Sequence, residues 1–570
     1  MKSVDGFNRK TAGKGNLGFP CVCGLEYLAG NELVSTEYKQ LLKRSCMEPL
    51  THSNNADESA IIEADKQLLH SMGYAQELKR GMRTFQNFAI SFSIICILAG
   101  GINSFSQGLS SVGGASIGIG WPIATGVSLL FALAMGQIGS AYPTAGGLYH
   151  WASILGGRAL GWVTAWTNLF GLVTVLAAVN VSTYLFFVGS MGPVLGLNMD
   201  RLTPADPTAY SIGIQTIFVV LITCSQALIN HLGIRLTSKL TDFSGYLIFF
   251  TAVALSVALL AFAPHIDITR LWEFKNFSGD AGGKVWPQTG NMTYLFLLGM
   301  LLPAFTITGF DASAHTAEET IGAAKAIPKG MIHSVVWSGV FGWAMLAAII
   351  LAAPSLEKAA GQGSGSFFWI MGQVVPPPAR IALFVLISLS QYLCGLATVT
   401  SVSRMVFSFS RDGGLPWSST LRQINHRYRT PVAAIWASAL LSIAFTIYTP
   451  VYTTLAAVCA MFIYISYLLP VAAGLFAYQR SWTTMGPFNM GAWYRPIAIL
   501  CILGCGILIY VGIQPPNEKS LQILIGSGII TLCVWFGLEK RRFQGPPVGK
   551  KIAELRNEIE AAERAVEQPE

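Results

Sequence analysis

Charged side chains are scarce in this chain: they make up 12% of its 570 residues, whereas 52% are hydrophobic. A soluble globular protein carries about twice that share of charge, so the soluble class is excluded. Ten cysteines are present, but most lie in long apolar stretches, and no second pair accompanies the C-x-C of Cys21 and Cys23. Neither a disulfide framework nor a metal site is therefore predicted. The first 80 residues also lack the compact apolar core of a cleavable signal peptide.

The chain is instead rich in long apolar runs. A helix needs roughly 20 apolar residues to cross a bilayer. Twelve runs reach that length, at 86–109, 118–140, 159–189, 209–230, 238–263, 290–315, 331–353, 379–408, 431–449, 453–477, 494–513 and 520–538. We therefore predict an all-α polytopic membrane protein with about twelve transmembrane helices. Its transmembrane domain would cover residues 85–540, between a mostly disordered tail at 1–84 and a second tail at 541–570.

The formal net charge of +8 raises the question of a nucleic-acid partner. Most Lys and Arg residues fall on one side of the twelve predicted spans, the side of the N-terminus, and this asymmetry marks the cytoplasmic face. Both termini are accordingly expected in the cytoplasm, with the spans in a plasma or inner membrane and in contact with its lipid. The amphipathic stretch from Asp65 to Arg83 would lie at the inner surface. No basic soluble domain exists, so nucleic acid is not an expected partner.

Two of the apolar runs are interrupted. The run that begins at Met292 turns polar after Phe305, and Gly309 allows its backbone to leave helical geometry. Thr308 and Asp311 have the spacing of a capping box for a new helix. The first run is broken by Gly100 and Gly101. Broken helices at comparable places are typical of inverted-repeat transporters, so Gly101 and Gly309 are the predicted break points of a secondary transporter.

Four segments carry a resemblance to a known family. They are Met72 to Arg80, Ser140 to Tyr149, Thr306 to Thr320, and Thr400 to Arg404 with Ser410 to Gly413. In these segments the chain resembles the amino acid/choline transporter branch of the amino acid, polyamine and organocation permease superfamily. The resemblance implies a LeuT-type fold, with 85–263 and 290–477 as inverted repeats of five spans and two extra helices at 494–538. It also implies an amino acid or related amine as substrate, such as 4-aminobutyrate (GABA) or choline.

A zwitterionic substrate needs groups for one carboxylate and one ammonium. Half-helix N-termini offer free N–H groups, and half-helix C-termini offer carbonyls. The carboxylate is therefore expected on the amides of Gly100, Gly101 and Ile102, and the ammonium on carbonyls at Ala99 and in the second break. The substrate-binding candidates are Ala99, Gly100, Gly101, Ile102, Asn103, Phe305, Thr306, Thr308, Gly309 and Phe310. By position Phe305 matches the gate aromatic of related transporters, and Phe310 is a second candidate, although either could serve as core packing.

Candidates for gating and coupling follow the second break. Asp311 is either a helix cap or a functional intramembrane carboxylate that pairs with span one or eight or titrates during transport. His315, Glu318 and Glu319 are expected near the cytoplasmic surface, solvated or in inner-gate ion pairs, with a proton relay as the alternative. Arg404 closes one of the matching segments and joins the same set.

The coupling ion is expected to be a proton or sodium, with a slight preference for the proton, and no other cofactor is predicted. In sodium-coupled relatives an ion lies between the first break and span eight, which nominates Thr398, Thr400 and Ser401; interhelical hydrogen bonding is the simpler reading of these hydroxyls. Lys239 is the candidate for the lysine that replaces sodium in some proton-coupled relatives, unless it only reaches to the inner surface.

Three other functions compete with amino acid transport. A choline or polyamine permease of the same fold would require different side chains around the substrate, including an aromatic cage for choline. A non-transporting nutrient sensor would normally carry a larger soluble output domain. An enzyme is not predicted, because no nucleophile, base and orienting group stand at a recognisable spacing. The sequence specifies no oligomeric state.

Overall fold

The computed structural model describes residues 55–203, 208–425, 427–547, 552 and 555–567. Ten of its helices are long and apolar enough to cross a membrane, and two shorter apolar helices, Met292–Thr306 and Val432–Tyr448, occupy the remaining predicted spans. The regular elements of the described residues are helical. Two isolated β-bridges are also present, one between Met82 and Thr320 and one between Tyr478 and Trp482. The predicted all-α polytopic fold is confirmed.

The elements follow the predicted spans closely. Before and within the first interrupted helix they are Asn55–Ser71, Thr84–Ile95, Gly100–Asn103 and Phe105–Val112. The continuous helices that follow are Trp121–Ala141, Leu148–Gly156, Arg158–Met191, Ala209–His231 and Ile234–Phe262. The second interrupted helix comprises Met292–Gly299, Leu301–Thr306, Ala312–His315 and a 3-10 turn at Ala317–Glu319. The remaining long elements are Ala323–Ala352, Leu356–Gly361, Ser366–Val374, Pro377–Arg411, Val432–Tyr448, Tyr452–Ala477, Tyr494–Gly512, Glu518–Val534 and Arg556–Glu567.

Burial separates central helices from peripheral ones. In the most apolar window of Thr84–Asn103 and in that of Arg158–Met191, 89% of residues are buried within the protein, whereas the value for Glu518–Arg542 is 6%. A helix that is apolar on all sides and little covered by protein is suited to lipid. The two interrupted helices therefore lie among neighbouring helices, where broken backbone is tolerated in a membrane protein. The division into two inverted repeats stays a prediction.

The predicted disorder of the N-terminal tail is wrong for residues 55–84; residues 1–54 lie outside the described residues. Asn55–Ser71 is helical, and the Asp65 carboxylate accepts hydrogen bonds from the Gly322 amide at 2.7 Å and from Arg80 at 3.5 Å. Met82 is bridged to Thr320. Residues 55–84 are ordered because their polar groups have partners in the segment that follows the second interrupted helix, which a low apolar content alone does not reveal.

Candidate functional site

The first interrupted helix breaks earlier than predicted. Helix Thr84–Ile95 ends at Cys96, whose φ is +28°, and the chain is helical again from Gly100. Gly101 therefore lies inside a short helix and is not the break point. The N–H groups of Gly100 and Gly101 already donate to the carbonyls of Cys96 and Ile97, at 3.1 and 3.0 Å. The prediction that these two amides are free for a substrate carboxylate is wrong for this conformation, because the turn at 96–99 supplies their acceptors.

Backbone carbonyls next to these glycines already accept hydrogen bonds as well. The Ala99 carbonyl accepts hydrogen bonds from the Asn103 backbone N–H at 3.1 Å and from the Asn103 side chain at 2.9 Å. Ile102 is buried. The Leu98 carbonyl accepts from the Gln391 amide at 3.1 Å. The helix Pro377–Arg411, which contains Gln391, thus binds the buried, non-helical backbone of the first break.

The second break is at the predicted residue. Helix Leu301–Thr306 ends before Ile307, and Gly309 has a φ of +84°. Thr306 and Thr308 donate their hydroxyls to carbonyls of their own segment, those of Leu302 and Phe305. The predicted capping box is wrong: the turn Ala312–His315 begins after Asp311, and no side chain caps it.

The two breaks pack directly against each other. A Cβ added to Gly100 would lie 2.8 Å from the Thr306 Cα, and one added to Gly309 would lie 2.3 Å from the Ile94 Cγ2. Contacts under 3.0 Å do not occur for real Cβ atoms, so both positions require glycine for space. The substrate candidates of the two interrupted helices are therefore brought together, as predicted from their separate positions in the sequence.

Asp311 lies at the centre of a buried hydrogen-bond network. Its Oδ1 accepts from the Tyr467 hydroxyl at 2.7 Å, and its Oδ2 accepts from the Asn168 amide at 3.2 Å and contacts His315 Nε2 at 3.2 Å. The Tyr467 hydroxyl in turn accepts from the Gly309 N–H at 2.9 Å. The expected partner in span one or eight is wrong: the partners lie on helices Arg158–Met191 and Tyr452–Ala477. A carboxylate linked to the break through one tyrosine can respond to a change in the backbone there.

Aromatic rings surround the second break. Phe305 meets Tyr452 edge to face, with centroids 5.9 Å apart, and the Tyr452 hydroxyl is 2.9 Å from that of Ser104. Phe310 packs on Tyr467 at 4.7 Å. Phe305 also lines a small cavity, together with Gln107, Leu301, Thr453, Ala456, Ala457, Ala460 and Asn517. Both rings are buried, and Phe305 also lines this small cavity.

The sodium-ligand candidates do not converge on the first break. Thr398 donates to the Cys394 carbonyl of its own helix at 2.9 Å, and Thr400 donates to Asn230 at 2.7 Å, on helix Ala209–His231. The Ser401 hydroxyl is buried without a hydrogen-bond partner. Lys239 is exposed near the start of helix Ile234–Phe262, so its predicted place beside the break is corrected.

Two buried ion pairs lie beyond the second break. Arg404 binds both carboxylate oxygens of Glu319, with Nε–Oε2 at 3.1 Å and Nη2–Oε1 at 2.9 Å. Arg411 binds Glu318 in the same two-pronged way, at 2.9 and 2.8 Å. Both carboxylates are fully buried, so of the two expected states, solvated or ion-paired, they are in the ion-paired one. These pairs join helix Pro377–Arg411 to the end of the second interrupted helix. We call the region of the bundle around Glu318, Glu319, Arg404 and Arg411 the terminal end.

The segments that carried the family resemblance meet at the terminal end. Tyr74 donates to the Asp412 Oδ2 at 2.8 Å, and Tyr149 donates to the same oxygen. Burial raises the pKa of the Asp412 carboxyl above its usual 3.8, although Arg411 opposes this shift. Arg80 donates to the carbonyls of Ala317, at 3.2 Å, and Thr320. Residues far apart in the sequence therefore close one face of the bundle.

The described part of the C-terminal tail adds to the same face. Helix Arg556–Glu567 places Glu563 within 2.7 Å of both Lys66 and His70, and Glu563 also accepts from the Gln76 N–H at 2.9 Å. Burial alone would raise the pKa of Glu563, but hydrogen bonds from these partners lower it below its usual value. The contact joins both ends of the described chain.

Several residues that bind Asp311 or the first break were not predicted as site residues. Tyr467 lies in a continuous apolar run, where a tyrosine is ordinarily a packing residue. Gln391 and Asn168 are polar residues inside apolar runs, and such residues need partners in the bundle interior. That signal indicates burial among helices, but it does not identify the partner.

The geometry is that of a polytopic membrane protein in which two interrupted helices are in contact. A family model described as "Amino acid permease" matches residues 82–538. The chain therefore belongs to the amino acid permease family.

Curated relatives extend over nearly the same residues. Amino-acid permease BAT1 of Arabidopsis thaliana is 29% identical over 515 residues, covering 85% of this chain and 97% of its own length. An uncharacterized amino-acid permease of Schizosaccharomyces pombe, C1039.01, is 27% identical and covers 87% of this chain and 88% of its own length. A GABA-specific permease of Saccharomyces cerevisiae is 26% identical and covers 85% of this chain and 86% of its own length.

Proposed function

We propose that the chain is a secondary active transporter that moves an amino acid or a related amine, such as GABA, by alternating access. The observation that carries the proposal is the contact between two interrupted helices at Gly100, Thr306 and Gly309, beside a buried carboxylate. Broken helices supply the backbone groups that bind substrate in inverted-repeat transporters. The name of the yeast relative supports GABA as a substrate of this class.

The conformation corresponds to one end of such a cycle. The terminal end is closed by the Glu318–Arg411 and Glu319–Arg404 pairs, whose carboxylates follow the second break in the chain, whereas Phe305 precedes it. With both termini in the cytoplasm, the terminal end is the inner gate, and Phe305 lies before the break on the outer side. A plasma membrane location agrees with uptake from outside.

Substrate binding at the first break requires a rearrangement. The Gly100 and Gly101 amides must leave the Cys96 and Ile97 carbonyls before they can donate to a carboxylate. The ammonium would contact the carbonyls of Ala99 and of the second break. Because binding then exchanges internal hydrogen bonds for substrate hydrogen bonds, it changes the backbone of the first interrupted helix, as a permease cycle needs.

Coupling to a proton is preferred over coupling to sodium. The hydroxyls of Thr398 and Thr400 are directed to other acceptors than the first break. A buried carboxylate and imidazole, by contrast, contact each other next to the second break. A choline or polyamine permease, or a sensor that binds without transport, remains the alternative.

The test is uptake of radiolabelled GABA, alanine and choline into proteoliposomes of the purified protein, with proton and sodium gradients imposed separately. Accumulation of GABA or alanine under an inward proton gradient is the expected result. Accumulation of choline alone would select the choline alternative. Binding of a panel member without exchange or accumulation would refute transport and support a sensor.

A further inference from the structure

The two hydrogen-bond partners of His315 limit the number of protons that His315 and Asp311 can hold together. His315 Nδ1 lies 3.2 Å from the Ala145 carbonyl oxygen, and Nε2 lies 3.2 Å from the Asp311 Oδ2. Both side chains are fully buried. A carbonyl oxygen and an ionised carboxylate can only accept hydrogen bonds, whereas a neutral imidazole has a single N–H to donate.

Both contacts can be hydrogen bonds in only two ways. Either the imidazole is doubly protonated and faces an ionised Asp311, or it is neutral, donates from Nδ1, and accepts at Nε2 from a protonated Asp311. The two forms contain the same number of protons and have the same net charge of zero. The closed geometry therefore holds one exchangeable proton between Asp311 and His315.

Among the residues that the structure describes, the groups that face this pair do not supply another neutralising charge. From helix Tyr452–Ala477 come Tyr467, which donates to Asp311, and Tyr464, which donates to the Ile307 carbonyl at 3.2 Å; Cys459 of the same helix also lies near Asp311. From helix Arg158–Met191 comes the neutral amide of Asn168.

The other packed elements present charges that are already paired, or neutral groups. Arg404 and Arg411 of helix Pro377–Arg411 bind Glu319 and Glu318. His150, beyond the 142–147 turn, contacts the Thr144 hydroxyl at 2.8 Å. Asn87 and Ser91 of helix Thr84–Ile95 bind the backbone or hydroxyls of 310–320. Loss of the shared proton would leave a buried negative charge and break one of the two His315 contacts.

We propose that Asp311 and His315 together form the proton-binding site of the transporter, filled in the closed conformation and emptied when the terminal end opens. This inference rests on the proposed function and specifies its coupling site. A proton from water adds to the deprotonated pair, forming one N–H bond at Nε2 or one O–H bond at Oδ2, and the same bond breaks when the proton returns to water on the opposite side. The pair changes from a net charge of −1 to 0 and back.

Tyr467 connects this site to the substrate-binding backbone. Its hydroxyl donates to Asp311 and accepts from the Gly309 N–H, so the position of Gly309 depends on the acceptor strength of the carboxylate. His315 is connected to the turn at Ala145, and the Ala145 N–H donates to Glu318 at 3.1 Å. One proton therefore acts on the second break and, through Ala145, on an ion pair of the terminal end.

The decisive variant is Asp311→Asn. Its amide can donate to Nε2 of a neutral His315 that still donates to Ala145, so both His315 contacts persist without a proton to release, while the hydrogen bond from Asn168 to this position is lost. In proteoliposomes with radiolabelled GABA or alanine, whichever the unaltered protein exchanges, exchange by the variant without a gradient is measured as the reference for its driven uptake. Accumulation driven by an inward proton gradient should fall at least tenfold, to the level without a gradient. His150→Gln is the matched control, since it alters a buried histidine that does not contact Asp311.

The outcomes separate this inference from the proposed function. Asp311→Asn with unchanged proton-driven accumulation would overturn the inference, as would equal losses in His150→Gln and Asp311→Asn. If Asp311→Asn fails to fold, the number of protons moved per substrate by the unaltered protein decides, with one expected and zero refuting. An unaltered protein without exchange of any panel substrate would refute the proposed function itself.

Discussion

The Glu319–Arg404 pair allows a quantitative test of the closed terminal end. Both side chains are almost completely inaccessible, at 0% and 1% exposure, and the carboxylate is bound by two guanidinium nitrogens. Glu319→Gln would leave the Arg404 charge buried without a carboxylate. Removing one partner of a buried pair costs about 3–5 kcal/mol, and an opened terminal end would relieve that cost by hydrating Arg404. Since about 1.4 kcal/mol is a tenfold change, the open population should rise by up to roughly two to three and a half powers of ten.

The assay is the labelling rate of a cysteine placed at Ala314, a buried residue between Asp311 and the ion pairs. A membrane-impermeant maleimide applied from the terminal side would modify it only in the open state, and mass spectrometry of its peptide would exclude signal from native cysteines. Glu319→Gln should label much faster than the parent. The matched control is Glu357→Gln, which disrupts an exposed pair with Lys275 at the other end and should change little, because such pairs contribute at most about 1 kcal/mol.

A double variant separates the pair from general loosening. Glu319→Gln with Arg404→Met removes both charges, so no uncompensated charge is left buried. Labelling should then return to near the parental rate. Equal labelling of Glu319→Gln and the parent would refute the view that this pair holds the terminal end closed, and so would a double variant that labels as fast as the single one.

Three further predictions follow from local geometry. Gly309→Ala should abolish transport and lower stability by about 1–3 kcal/mol, because of the positive φ of Gly309 and the clash of the added Cβ with Ile94. Gly101→Ala is the control and should retain uptake, since the nearest contact of its added Cβ is at 3.5 Å. Equal losses of the two variants in uptake assays would contradict this. Because burial raises the pKa of Asp412, stability measured by thermal melting should fall as pH rises from about 4 through the raised pKa, and Asp412→Asn should flatten this dependence. Glu563→Gln should speed hydrogen exchange in 556–567 roughly fivefold, for about 1 kcal/mol of lost pairing, and unchanged exchange would show that the helix docks without this contact.

The sequence predicted the spans well because a helix in lipid must satisfy its backbone internally and present apolar side chains along its whole length. It also predicted the break at Gly309, where polar residues follow an apolar run directly. The error at Gly101 has a physical origin: the first break occurs in the wholly apolar stretch from Cys96 to Ala99, where the broken backbone is bound by Gln391 from another helix. Periodicity within one segment does not contain that contact.

The network around Asp311 shows the same limit. An intramembrane aspartate predicts that partners exist, but Tyr467 and Asn168 are 156 and 143 residues away in the sequence. Which of the many polar residues in twelve spans meet is decided by helix packing. The terminal end was more accessible to prediction, because the segments that resembled the family contain Tyr74, Tyr149 and Arg411, although their common meeting place was not evident.

The convergence on the terminal end also has a consequence for biosynthesis. Tyr74 meets Asp412 across 338 positions, and His70 meets Glu563 across 493. Glu318 and Glu319 leave the ribosome before either of their arginines does, so the nascent permease contains two carboxylates that cannot be buried in their final form until residue 411 has been made. Closure of the terminal end is therefore among the last parts of the fold to mature, because a chain released before residue 404 contains both carboxylates and neither arginine partner.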